Sequence, residues 1–188
     1  MTADAAVSGA ARTERLDLRP PVASDLDELY AICSDARVWG HFPSLRHTDP
    51  ERTRAMLERW MDGWREHGLD TWVVRPHGEE RIIGYGGAGV LGGLVWNLGY
   101  RLAADEHGRG YATELAASGL RRANEVAPDL PVIAYLLEHN VASDRVARKV
   151  GLELAWRGPD AGNPDPAAIR LVYADRPLTE EQLAAARR

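Results

Sequence analysis

Alternating and helically spaced hydrophobic residues divide the first third of the chain into one strand and two helices. Residues 15–19, Arg-Leu-Asp-Leu-Arg, alternate with a period of two and predict a strand that ends at a pair of prolines. Ser24 or Asp25 can cap a short helix whose hydrophobic residues recur every three to four positions. Asp49 is a favourable N-cap for a second helix, which we expect to end at Gly68.

The rest of the chain continues mainly as strands around one long helix. Residues 71–75 and 81–84 are β-rich runs on either side of a Pro-His-Gly turn and predict a hairpin. Residues 95–102 predict a fourth strand, and residues 112–126 repeat apolar side chains at helical spacing. The elements predicted beyond that helix are a buried strand at 131–137, a helix at 143–150 and two strands at 152–156 and 169–174.

The resulting order, β-α-α-β-β-β-α-β-α-β-β, combines hairpins with one crossover helix. Such an order predicts an α/β (α+β) fold with a mixed central sheet of about seven strands. Residues 14–178 are expected to form a single domain. Residues 1–13 are expected to be a disordered N-terminal tail, and residues 179–188 a C-terminal tail or a short helix.

Composition narrows the class of protein. The 188 residues are 45% hydrophobic and 27% charged with a net charge of −5, which is typical of a folded domain. Arginines are scattered among acidic residues and no apolar run is long enough to span a bilayer, so we expect neither a nucleic-acid partner nor a membrane anchor. Abundant Ala, Gly, Pro and Arg are typical of G+C-rich bacteria, so we expect a bacterial source. The single cysteine and the lack of a signal-peptide pattern predict a cytoplasmic protein, expected as a monomer or homodimer. Cys33 is the only cysteine, and its helical spacing predicts a buried thiol rather than a nucleophile.

Two glycine-rich segments could bind phosphate, but only one has the right surroundings. Residues 84–89 match G-x-G-x-x-G, yet no helix follows them, so we interpret these glycines as strand or turn residues. Residues 107–114, His-Gly-Arg-Gly-Tyr-Ala-Thr-Glu, stand between a strand and a helix. Glycines there let consecutive amides turn toward one point, and the helix N-terminus adds partial positive charge.

Three ordered motifs carry a resemblance to a known family. They are Leu-Gly-Tyr-Arg-Leu at 98–102, the segment at 107–114, and the run from His-Asn-Val-Ala-Ser to Lys-Val-Gly-Leu within 139–152. This constellation resembles the GNAT acetyltransferases and, within them, the RimJ/RimL branch, whose opening strand is similar to residues 13–20. The resemblance covers nearly all of the chain. It implies a GNAT-like fold and an acetyl-coenzyme A-dependent N-acetyltransferase, in which a primary amine attacks directly in a ternary complex.

The resemblance also implies where acetyl-coenzyme A binds. The loop from His107 to Thr113 would hold the pyrophosphate, and the predicted fourth and fifth strands would splay apart to admit the pantetheine chain. His107 stands where the family usually has Gln or Arg, but loop contacts made by amides tolerate that change. The implied cofactor-binding residues are Tyr100, Arg101, Leu102, His107, Gly108, Arg109, Gly110, Tyr111, Ala112, Thr113, Asn140 and Ser143.

Acetyl transfer needs a donor for the developing oxyanion and a proton for the departing thiolate. A main-chain amide near Leu98 and Gly99 is the expected oxyanion donor, because Gly99 permits close approach of the cofactor. Many family members use a tyrosine of the last helix as the acid, and residues 141–151 contain none. Ser143 is the remaining candidate hydroxyl, with simple helix capping as the alternative role.

The proton acceptor and the amine are less defined. Asn97 stands where the RimJ/RimL branch often carries a glutamate, and an amide cannot accept the proton. Either a water relay reaches Glu138 or His139, or the acceptor has a low pKa, as an α-amine does. Candidate acceptor-cleft residues are Trp39, His41, Phe42, Trp60 and Trp64, with packing in the core as the competing interpretation.

Two other functions remain open at this point, and no metal ligand is assigned. One is a GNAT-like domain that binds acyl-coenzyme A without catalysis. The other is a nicotinamide-dependent oxidoreductase built on residues 84–89. Turnover with an amine and binding assays with both cofactors distinguish them.

Overall fold

A computed structural model describes residues 9–161 and 163–187 of the chain. Within them the strands form one eight-stranded sheet in the order β1-β2-β3-β4-β5-β6-β8-β7. Every neighbouring pair is antiparallel except β5 and β6, which are parallel and joined by a helical crossover. The strands are β1 Ala11–Arg12, β2 Leu16–Arg19, β3 Thr71–Pro76, β4 Gly84–Leu91, β5 Val95–Leu102, β6 Val132–Leu137, β7 Glu153–Pro159 and β8 Ile169–Ala174. The α-helices are α1 Leu26–Ser34, α2 Pro50–His67, α3 Tyr111–Val126, α4 Val141–Lys149 and α5 Glu180–Ala186.

The mixed α/β sheet predicted from the sequence is confirmed, with one more strand than the seven expected. The additional strand, β1, lies in the segment predicted to be a disordered tail. It is ordered because it pairs with β2 and because the Trp72 indole donates a hydrogen bond to the Gly9 carbonyl at 2.8 Å. Residues 1–8 of that predicted tail lie outside the described residues.

The strand predicted at 81–84 is wrong in its position, because β4 runs from Gly84 to Leu91. Its glycines have weak strand propensity, but pairing with β3 and β5 on both sides determines the conformation. Close packing also requires them: a Cβ at Gly86 would lie 2.7 Å from the Gly99 carbonyl oxygen. The interpretation of residues 84–89 as strand glycines rather than a nucleotide loop is therefore confirmed.

Helices cover both faces of the sheet, and alternate residues of β4 show which helix covers which face. The ring of Tyr85 lies 4.9 Å from that of Trp60 on α2. The next residue, Gly86, faces Leu115 on α3. Thus α1 and α2 pack on one face and α3 on the other, while Cys33 of α1 is buried as predicted. No helix in the described part of the chain is long and apolar enough to cross a membrane.

The parallel strands β5 and β6 separate soon after they begin. Their only paired positions are Trp96 with Val132 and Asn97 with Ile133. Beyond these, residues 98–102 of β5 continue with β4 on one side and, within the part of the chain that the structure describes, no strand on the other. The sequence expectation that these two strands splay apart is borne out, and the opening exposes a row of backbone amides and carbonyls.

Candidate functional site

Three cavities meet where β5 and β6 separate. A loop groove of about 450 Å³ lies between residues 107–113 and α4. A splay cavity of about 260 Å³ lies between β5 and β6, and a helix-side cavity of about 760 Å³ lies between α2 and strands β4 and β5. Tyr100 and Arg101 of β5 line all three. A molecule in the loop groove can therefore reach one in the helix-side cavity through the splay.

The loop groove has the features of an anion site. Gly108 and Gly110 have φ of +79° and +84°, so the backbone takes left-handed turns that a side chain would strain. Gly110 directly precedes α3, whose first amides have no partner within the helix. Arg15 fixes the loop from behind, since its Nη1 donates to the Arg109 carbonyl at 2.8 Å and its Nε donates to Glu114 at 2.8 Å.

The charged side chains that face the groove differ from those expected. The Arg109 guanidinium turns away and donates to the buried carboxylate of Glu106 at 2.6 Å. Arg109 does not line the groove, because its guanidinium is held by the buried Glu106, which does line it. Arg145 and Lys149, one turn apart on α4, face the groove instead. His107 also lines it, with its Nε2 3.1 Å from the Leu102 carbonyl oxygen.

The splay cavity offers an extended ligand a backbone edge and free space. A Cβ at Gly99 would meet no atom within 4 Å, so the residue leaves room beside the strand. Leu98, Gly99, Asn140 and Ser143 all line this cavity. The open edge of β5 and the anion-type groove next to it fit a long ligand with a phosphate end and an amide-bearing arm, which is the chemistry of coenzyme A.

The cap of helix α4 is Asn140, so helix capping is not the role of Ser143. The α4 helix begins at Val141 and Asn140 caps it, because its Oδ1 accepts from the Ser143 amide at 3.2 Å. Ser143 is thus not the cap, and its hydroxyl stands close to Tyr100, whose phenol donates to the Ser143 carbonyl at 3.4 Å. Burial raises the pKa of Tyr100, while a hydrogen bond with Ser143 opposes that rise.

Of the five aromatic residues predicted for the acceptor cleft, three line a cavity. His41 and Phe42 line the splay cavity, and Trp60 lines the helix-side cavity. Trp39 and Trp64 line none of the three cavities. Trp39 is 5% exposed and donates to the Cys33 carbonyl, and the Trp64 indole donates to the Thr71 carbonyl, so each indole N–H is already satisfied in the packed interior.

Arg101 forms the wall shared by the three cavities. Its guanidinium lies 3.8 Å from the centre of the Trp39 ring and donates to the His41 Nε2 at 3.1 Å. Burial, together with the charge of Arg101, lowers the pKa of His41 to about 4. His41 is therefore neutral at physiological pH, and Arg101 supplies the positive charge at this junction.

The two side chains proposed for a proton relay do not reach the cavities. The Glu138 carboxylate is bound by Arg157 at 2.6 Å, which lowers its pKa. His139 donates to the His41 carbonyl at 2.8 Å. Neither residue lines any of the three cavities, whereas Asn97, which cannot act as a base, lines two of them.

Sequence reasoning missed several cavity-lining residues. The spacing of Arg145 and Lys149 on one helix face could have indicated the basic wall of the groove. Leu45, Tyr135 and Asp70 had no such signal, because they come from a short 3-10 helix, a strand and a loop that only the fold brings together. No cluster of His, Cys, Asp or Glu suited to a metal occurs in the part of the chain that the structure describes.

Comparisons with known proteins agree with this geometry. A family model described as an acetyltransferase (GNAT) domain matches residues 15–153. A crystal structure of an acetyltransferase from Agrobacterium tumefaciens is 27% identical, with a TM-score of 0.70 over 88% of this chain and 92% of the other. The structure of yncA from Salmonella typhimurium with its cofactor acetyl-CoA is 17% identical, with a TM-score of 0.67 over 88% and 95% of the two chains. RimL, a ribosomal alpha-N-protein acetyltransferase in complex with coenzyme A, is 18% identical, with a TM-score of 0.71 over 88% and 96%.

Proposed function

This chain belongs to the GNAT family of acetyltransferases, and from that premise we propose that it transfers an acetyl group from acetyl-coenzyme A to a primary amine. The amine attacks directly, with both molecules bound at once. One observation carries the proposal: the open edge of β5 adjoins an anion-type groove at one end and a separate, larger cavity on the α2 face. A protein that only binds acyl-coenzyme A needs the open strand edge and the groove, but it does not need the second cavity.

The residues that hold the acetyl donor follow from the loop groove and the splay. Amides of residues 108–113 and the start of α3 bind the pyrophosphate, and Arg145 and Lys149 supply positive charge beside it. The unpaired edge of β5 from Leu98 to Leu102 pairs with the amide groups of the pantetheine arm. Acetyl-coenzyme A supplies the acetyl group as a thioester, whose sulfur departs as the thiol.

The chain itself stabilises charge at the point of transfer. Main-chain amides around Leu98 and Gly99 are the donors for the developing oxyanion, since the open space at Gly99 permits close approach. Ser143 and Tyr100 lie together beside the splay, so their hydroxyls are the groups that give a proton to the departing sulfur. This pair replaces the tyrosine that α4 lacks.

The acceptor enters by the helix-side cavity, between α2 and the glycine-rich strand β4. Membership of the RimJ/RimL branch, and with it a protein α-amine as acceptor, is part of this proposal. The fold similarity to RimL and the motifs at 98–102 and 107–114 support it. A low acceptor pKa is favoured, because the cationic Arg101 at the junction opposes a second positive charge.

An acceptor screen tests the proposal. The protein is incubated with acetyl-coenzyme A and a panel of peptides, aminoglycosides and small amines, and free thiol is measured. We expect thiol release that depends on the amine and a product heavier by one acetyl group. Binding of acetyl-coenzyme A without turnover of any amine would instead favour a non-catalytic acyl-coenzyme A sensor.

A further inference from the structure

Asp70 places a carboxylate in the helix-side cavity, and it is not among the residues that bind the donor or protonate the departing sulfur. It precedes β3 and lines the cavity together with Asn97 and Gly99. Its hydrogen bonds come from Thr71, whose amide donates at 2.6 Å. Within the described residues no Lys, Arg or His forms an ion pair with it. A half-buried carboxylate without a cation is costly, and such groups are concentrated at functional sites.

Two glycines make room for this carboxylate. A methyl group at Gly63, in the middle of α2, would overlap the Asp70 carboxylate. A Cβ at Gly89 on β4 would lie 3.1 and 3.3 Å from its two oxygens. Glycine inside a helix costs about 1 kcal/mol relative to alanine, so Gly63 destabilises α2 by about that amount. Its missing side chain leaves the space that the Asp70 carboxylate occupies.

The position of Asp70 places it on the path of the acceptor. Gly89 pairs with Asn97, and Gly87 pairs with Gly99, so the carboxylate lies over β4, one strand away from the splayed edge. Strands are about 4.8 Å apart and residues along a strand about 3.4 Å apart, which puts the acid less than ~10 Å from Gly99. An amine that enters along α2 meets Asp70 before it reaches the splay.

We propose that Asp70 is the proton acceptor for the incoming amine, an assignment that rests on the proposed acetyl transfer. An ammonium group donates one proton to the carboxylate, leaving a neutral amine and a carboxylic acid. The nitrogen lone pair then forms the C–N bond as the C–S bond breaks. The Ser143 and Tyr100 hydroxyls give one proton to the departing sulfur, and a second N–H proton of the amine replaces it. Asp70 returns its proton to water through the cavity mouth, so the net products are the amide, the thiol and one proton.

The other charged or titratable groups around Asp70 are compatible with this role. Burial raises the pKa of Asp70, and hydrogen bonds with Thr71, together with the nearby His67 and Arg59 on α2, reduce that rise. The remaining such groups lining the cavity are Asp62 and Glu66, both exposed on α2, Arg101 and Tyr100 on β5, Tyr135 on β6, and Tyr85 on β4, whose pKa burial raises. A base with a raised pKa takes a proton from an amine more readily near neutral pH.

The kinetic test compares wild type with Asp70→Asn, using the free-N-terminal peptide that the acceptor screen finds most active. We expect kcat to fall about 100-fold or more, and the acid limb of the pH profile of kcat to disappear. Acetyl-coenzyme A binding, measured by calorimetry, should not change. Glu58→Gln, the same change on the solvent face of α2, should behave as wild type. If Asp70→Asn does not fold, Asp70→Ser takes its place, since the serine hydroxyl can accept from the Thr71 amide.

A second readout does not need turnover. A carboxyl group whose pKa is raised by folding stabilises the protein fully below its unfolded pKa of about 3.9 and loses that contribution as pH rises through the folded pKa. The melting temperature of Asp70→Asn relative to wild type should therefore increase between pH 4 and pH 7. A difference that stays constant with pH would overturn the assignment of a costly buried charge.

The outcomes separate the two proposals. A wild-type protein that acetylates an amine, with a variant of equal kcat and unchanged pH profile, overturns the role of Asp70 alone. An increase in KM with kcat unchanged also overturns it, because it indicates binding without proton transfer. A wild-type protein that acetylates no amine overturns the proposed function, and this inference with it.

Discussion

Replacement of Gly99 by alanine should raise the stability of the protein and lower its acetyl-transfer activity. A Cβ at this position meets no atom within 4 Å and points into the space shared by the splay and helix-side cavities. The backbone of Gly99 is not in the left-handed region, so alanine fits without strain. Glycine inside a strand costs about 0.5–1 kcal/mol relative to alanine, so the variant should be more stable by about that amount. For a protein of this size the melting temperature should rise by ~1–4 °C.

Activity should change in the opposite direction. The added methyl group occupies the passage in which the amine and the acetyl group must meet, and a displacement of about 1 Å can cost roughly 100-fold in rate. We therefore expect kcat/KM for amine acetylation to fall by about 10- to 100-fold, measured by thiol release. Thermal melts of the same preparations give the stability.

Gly86→Ala is the matched control, since Gly86 lies on the neighbouring strand and faces the packed side of the sheet. Its Cβ would lie 2.7 Å from both the Gly99 carbonyl oxygen and the Leu115 Cδ2. Overpacking of this kind costs about 1–3 kcal/mol, so this variant should melt at a lower temperature. A Gly99→Ala protein that melts lower than wild type, or one with undiminished kcat/KM, would contradict the reasoning.

Three further predictions concern the loop groove, α4 and the acceptor. Gly110→Trp should abolish the rise in melting temperature on addition of acetyl-coenzyme A. Gly110 has a left-handed φ of +84° and its Cβ would lie 3.3 Å from Arg15 Nη2, so the loop cannot keep its conformation with a side chain there. The rise is compared within each variant, and a normal rise would refute the assignment of the loop. Ser143→Ala should lower kcat with little loss of stability. Asn140→Ala, which removes the helix cap, should lower the free energy of unfolding by about 1 kcal/mol in thermal or urea unfolding. The reverse pattern would remove Ser143 from catalysis. A peptide with a free N-terminus and no lysine should be acetylated faster near pH 7 than an N-blocked peptide with one lysine. The reason is that an α-amine has a pKa of about 8, whereas a lysine side chain has a pKa of about 10.4. Faster reaction of the lysine peptide would contradict this prediction.

Local patterns were sufficient where a residue acts through its immediate neighbours. Asp49, Pro50 and Gly68 predicted the bounds of α2, and the structure confirms each as N-cap, first residue and left-handed C-cap. The pair Gly108 and Gly110 before α3 likewise predicted the loop groove. Caps and left-handed turns depend on a few consecutive residues, so a single sequence contains them.

Local patterns failed where the environment came from elsewhere in the chain. The glycines of β4 have no strand signal of their own, and they form a strand because β3 and β5 pair with it on both sides. Ser143 was a candidate proton donor with helix capping as its alternative role, and Asn140 caps the helix because α4 begins two residues before the predicted start at residue 143. Trp39 and Trp64 were expected in a cleft, but their indole groups are satisfied in the core.

The sequence by itself determined the family, the order of most elements and the glycine turns before α3, because motifs and caps are local. The tertiary structure alone decided where β5 and β6 separate, after two paired positions, and that Asp70 lies between Gly63 and Gly89. These features join residues from distant segments whose spacing along the chain has no period. They arise from long-range strand pairing and from packing of α2 on the sheet, which is why the acceptor side of the site could not be read from the sequence.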